Sequence, residues 1–113
     1  MKVQPISKQN FDGKLLIVDK FGKKPSTEIQ KSILAQLGST VCDLKHLIAP
    51  KPFDLFVSRR PIDYIDISAN KTFAGAARGE TTVYSLHKST LNQIVQIAKS
   101  SIEEYEKYIQ KHV

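Results

Sequence analysis

Cys42 and His46, four residues apart, are the nearest thing to a reactive pair in this chain. On a helix that spacing puts both on one face, the beginning of a thiolate–imidazole pair or of half a metal site. The spacing supplies neither an orienting carboxylate nor a third ligand, and His87 and His112 lie far along the chain. Cysteine more commonly packs as a small buried hydrophobe, and Cys42 is read that way. Asp63 and Asp66 flank a strand start and have the chemistry to hold a cation, but carboxylates at a turn are ordinarily solvated. No catalytic residue, metal site or cofactor is therefore assigned, and the chain is read as a non-enzyme.

The stretch TFAGAARGETT (72–82) raises a different chemistry, a glycine loop cradling a phosphate. Such a loop needs four residues between its glycines, then Lys and Ser or Thr, and a helix behind it. Here three residues separate Gly75 from Gly79, Glu80 stands where the lysine should be, and a strand pattern follows. The stretch reads as a turn. Anion contacts fall instead to Arg59 and Arg60 at a strand end, with Lys23, Lys24 and Arg78. Arginine offers a planar fork for phosphate or carboxylate, although neighbours on a strand point to opposite faces and would not clamp one anion together.

The elements that position these residues follow from periodicity. KLLIVDK (14–20) is a short strand, apolar on both faces, as in a strand covered on both sides or central in its sheet. STEIQKSILAQLG predicts a helix with Thr27 and Gln30 as a capping box and Gly38 as its stop. Its apolar stripe is Ile29, Ile33 and Leu37, with Leu34 alongside. A shorter helix through TVCDLKHLIA shows Val41, Leu44 and Ile48 on one face, ended by Pro50 and Pro52. DLFVSRR and YIDISAN read as a hairpin; in the second, Ile65, Ile67 and Ala69 alternate with a wet face of Asp66, Ser68 and Asn70. TTVYSLHK (81–88) is a fourth strand. Leu91, Val95, Ala98, Ile102, Tyr105 and Ile109 then mark a long helix, with Thr90 and Gln93 as its capping box.

That order predicts an α+β fold: a two-layer sandwich with a mainly antiparallel sheet of about four strands, helices on one face and a long C-terminal helix. The 113 residues suit a single domain, with an extended N-terminal arm at about residues 1–12, where Pro5 bars a helix. Hydrophobic residues make up 41% and charged residues 25%, a globular rather than disordered composition. Seventeen Lys and Arg against eleven Asp and Glu leave +6, which favours anionic partners without defining a site. One cysteine excludes an internal disulfide, no apolar region follows Lys2, and the run LLIV is far short of a membrane span. The expectation is a cytoplasmic chain without a membrane partner.

The opening KVQPISKQNFDGKLLIV and the later KPFDLFVSRR resemble small uncharacterised proteins of gut bacteria and their tailed phages, including crAss-like phages. The matching residues are Pro5, Ile6, Asn10, Phe11, Gly13 and Lys14, then Lys51, Pro52, Phe53, Asp54 and Leu55. The resemblance brings no activity and no catalytic residues. It implies an accessory protein, a structural part of a phage particle, and hence a virion location. The resulting expectation is a protein that docks on a larger assembly through its arm, with Ile6 and Phe11 as contacts, and through one sheet edge. The second expectation is a basic accessory protein gripping nucleic-acid phosphates through Arg59, Arg60, Arg78, Lys23 and Lys24. No RNP-type, zinc-finger or helix-turn-helix pattern accompanies them.

Overall fold

The computed structural model describes residues 12–60 and 63–112. Strand β1 (Leu15–Val18) is followed by helices α1 (Thr27–Leu37) and α2 (Thr40–Ile48), then strands β2 (Asp54–Arg60) and β3 (Tyr64–Asn70). A 3-10 turn (Phe73–Gly75), strand β4 (Tyr84–His87), a second 3-10 segment (Lys88–Gln93) and helix α3 (Ile94–Lys111) complete the order. The four strands form one sheet in the order β1-β2-β3-β4. The β2–β3 and β3–β4 pairs are antiparallel and β1 runs parallel to β2, so the sheet is mixed. It is the α+β architecture that the pattern predicts.

One face of the sheet is the core. Leu55 and Val57 of β2, Ile65, Ile67 and Ala69 of β3, and Leu86 of β4 meet Ile33, Leu37, Leu44 and Ile48 from α1 and α2. Ile94, Ala98, Ile102 and Tyr105 of α3 close the same cluster. Phe53 packs edge-on to Tyr105 with ring centres 4.8 Å apart. Glu104 on α3 accepts hydrogen bonds from the Thr82 amide, the Thr82 hydroxyl and the Tyr84 phenol, fixing β4 under the helix. Burial first, and then the Glu104 carboxylate, push the Tyr84 phenol pKa above its ordinary value.

Three local expectations are corrected and a fourth is narrowed. The α1 cap is Ser26, whose hydroxyl accepts from the Ile29 amide at 3.3 Å, one residue before the expected Thr27. Gly38 does end α1, with φ +56°. Helix α3 begins at Ile94 rather than Thr90: Thr90 leaves helical geometry and its hydroxyl donates to the His87 carbonyl, so no capping box forms with Gln93. Of the two readings of β1, the one with cover on both faces fits and the central one fails, since the strand lies at the sheet edge. Its two apolar faces have separate partners, Leu15 and Ile17 against the helical core and Val18 on the opposite face, where it is also buried. Finally, the wet face of β3 is only partly wet. Ser68 and Asn70 are buried, because the β3–β4 connector folds back across them.

Candidate functional site

The face of the sheet away from the helices carries a groove of about 810 Å³. Its floor is Val18, Phe56, Ser58 and Ser68, from three adjacent strands. One wall is the turn after β1, with Asp19, Lys20 and Phe21; the other is the β3–β4 connector, with Phe73, Ala76, Ala77 and Val83. Ile29 and Arg59 line it as well, and Arg60 and Asp66 supply further charge. Phe21 is 71% exposed and Val83 46% exposed, so the walls present apolar surface to solvent.

Both walls are held by backbone chemistry. In the first, one Asp19 carboxylate oxygen accepts from the amides of Phe21 (2.8 Å) and Lys23 (2.9 Å). The Asp19 amide in turn donates to the Lys23 carbonyl at 2.7 Å. The hydrogen bond from the Lys23 amide leads the causes that hold the Asp19 carboxyl below its ordinary pKa. Gly22 sits at φ +81° in this turn and faces the Phe73 ring, so the two walls meet across the sheet face. Phe73 also packs edge-on to Phe56, centroids 5.9 Å apart.

The second wall is the glycine stretch, and it is a turn as expected. Buried Asn70 organises it: the side-chain carbonyl accepts from the Thr72 amide (3.2 Å) and the side-chain amide donates to the Thr81 hydroxyl (3.3 Å). Gly75 packs directly on this amide, where a larger residue would collide. Gly79 supplies the positive φ, +83°.

The five cationic residues expected to contact anions do not gather into one patch. Arg59 and Arg60 both line the groove, whereas Lys23, Lys24 and Arg78 do not. Arg59 donates to the Ser32 hydroxyl of α1 at 3.1 Å. Arg60 pairs with Asp66 at 3.5 Å and lies over the Tyr64 ring at 5.4 Å. Arg78 is held at 3.0 Å by Glu80, the residue that also spoils the phosphate-loop pattern, and donates to the Thr72 hydroxyl. The two aspartates part company: Asp63 pairs with Lys88 and Asp66 with Arg60.

Cys42 and His46 share a helix face, but the imidazole contacts the Cys42 backbone carbonyl at 2.9 Å rather than the thiol. Cys42 is exposed, against the expectation of burial, because Val41, Leu44 and Ile48 use the inward face of α2. Among the described residues no three His, Cys, Asp or Glu side chains stand together as a metal site.

Gly13–Lys14 and Lys51–Leu55, the described parts of the two stretches compared above, meet in space. Lys14 donates its amide to the Asp54 carboxylate (3.0 Å) and accepts from the Leu55 amide (2.9 Å). Gly13 lies against the carbonyls of Ile48, Lys51 and Phe53, leaving no room for a Cβ. These residues set the parallel register of β1 on β2, a structural role. Ile6 and Phe11, the expected partner contacts, lie outside the described residues.

Sequence reasoning passed over Phe21, Phe73 and Val83. The available signal was Phe21 and Phe73, large apolar residues in connectors where nothing local would bury them, whereas Val83 fell within the expected fourth strand, which in the structure begins only at Tyr84. No family model, curated protein or solved structure matches the chain.

Proposed function

We propose that this chain is a non-enzymatic interaction protein that docks on a larger assembly through the outer edge of β1 and the arm preceding it. The observation that carries this reading is the open edge. The bond from the Leu55 amide to the Lys14 carbonyl directs Lys14, Leu16 and Val18 toward β2, so the backbone groups of Leu15 and Ile17 point away from it. No strand covers that side among the described residues. An added strand from a partner would complete it. The family resemblance of Gly13–Lys14 and Lys51–Leu55 makes a phage particle, at its head or vertex, the assembly to test first.

The alternative, a protein gripping nucleic-acid phosphates, draws less support. Arg60 and Arg78 are each held by a carboxylate, and the lysines of the β1–α1 turn do not join them. The test is a pull-down from native lysate after nuclease treatment and at moderate salt, read by mass spectrometry. A defined protein should remain with the wild-type chain and be lost from a variant carrying Ile6→Ala and Phe11→Ala that melts at the wild-type temperature. Loss of every bound component on nuclease treatment would transfer the function to the basic residues.

A further inference from the structure

We infer that the groove on the open sheet face is a binding site for a small amphiphilic carboxylate, such as a medium-chain acyl or arylalkyl acid. This inference is independent of the docking edge. At about 810 Å³ the groove falls within the size range of small-molecule sites. Its walls converge where Gly22 meets Phe73, so it is a bounded cleft rather than a flat patch. The lining is dominated by Val18, Phe21, Phe56, Phe73 and Val83, which suit a hydrocarbon or aromatic body.

The polar groups are few and placed as an anionic head requires. Among the lining residues Lys20, Arg59 and Arg60 outnumber Asp19 and Asp66. Both acids are already engaged, Asp19 by backbone amides and Asp66 by Arg60 and the Ser85 hydroxyl. Arg60, on the groove face with Phe56 and Ser58, meets Asp66 through Nε and keeps its terminal nitrogens for a carboxylate, while Arg59, turned toward Ser32 of α1, adds positive charge to the lining. Ser58 and Ser68, buried in the floor, add hydroxyls to the lining. Charge complementarity selects this occupant over a second copy of the chain, which would set Lys20, Arg59 and Arg60 against their own kind.

Two-dimensional amide NMR of the full chain, titrated with decanoate below its micellar concentration, tests the site, with decanol and acetate as comparisons. Decanoate should saturate, moving the amides of Val18–Phe21, Phe56–Arg60 and Phe73–Val83, and should bind at least ten-fold more tightly than decanol. Acetate should produce no saturable shift. The double variant Arg59→Gln, Arg60→Gln should bring decanoate down to the affinity of decanol while leaving decanol binding in place. Ala77→Trp, a change at an exposed position of the wall, should block both. Absence of saturable binding, equal affinity for decanoate and decanol, shifts mapping elsewhere, or indifference to both variants would overturn the assignment.

Discussion

Asp19 and Gly13 do the most per residue to shape the surface around β1. The Asp19 carboxylate is the centre of the wall that carries Phe21, and its pKa is lowered chiefly by the amide of Lys23. A folded-state value below the unfolded one means that the ionised form is the one the fold favours. The stabilisation is therefore complete above the ordinary aspartate value of 3.8 and is lost as pH falls through the lower folded value. An acid titration followed by NMR should show the Phe21 and Lys23 amides moving together with a midpoint below that value; a midpoint at or above it would mean that the turn is not held by the carboxylate. Gly13 acts through its missing side chain. A Cβ there would fall on the carbonyls of Ile48 and Phe53 and stand 2.9 Å from that of Lys51. Nothing in the sequence alone distinguished this glycine from an ordinary turn residue, because its constraint comes from residues about forty positions away.

At the scale of elements, the long pattern of α3 and the clean alternation of β3 were readable because each is buried on one side by one core. The caps were less readable, since Ser26 and Thr27 are equally good capping residues and only the path of the chain into α1 selects Ser26. The entry to α3 shifted because Thr90 leaves helical geometry within the 3-10 segment, and the helix then buries Ile94, four residues before Ala98, on the same face. Strand length has its own consequence. Pairing with β4 ends at Ile67 and Tyr84, so the Ala69 amide has no strand partner there and donates to the Ser101 hydroxyl of α3 at 2.8 Å. This bond lies in the core, with Ser101 fully buried. Ser101→Ala should lower unfolding stability by about 1–3 kcal/mol, the cost of an unpaired buried amide, with the denaturant midpoint as readout. A change within a few tenths of a kcal/mol would show that water or a backbone shift satisfies the amide.

The whole molecule is a sheet with one face closed by three helices and the other left partly open. Element order and the helical face were legible, because both rest on local periodicity. The parallel pairing of β1 with β2 and the groove were not, because each is made by segments far apart in the chain. The face read as wet from Asp66, Ser68 and Asn70 became a groove once Asn70 gathered the connector and Gly22 admitted Phe73. Net charge was equally uninformative about location: of the five cations expected to contact anions, Arg60 and Arg78 are paired with carboxylates and Lys23, Lys24 and Arg78 lie off the groove that Arg59 and Arg60 line. Among the described residues β1 and β4 each leave one strand edge unpaired, and the edge proposed here for a macromolecular partner is that of β1.

Amide hydrogen exchange of the chain, free and with its captured partner, tests that claim most directly. In the free chain the outward amides of Leu15 and Ile17 should exchange faster than the β2-facing amides of Leu16 and Val18. In the complex, Leu15 and Ile17 should gain protection to the level of their neighbours. Unchanged exchange at these two amides, with protection appearing only elsewhere, would contradict docking through this edge.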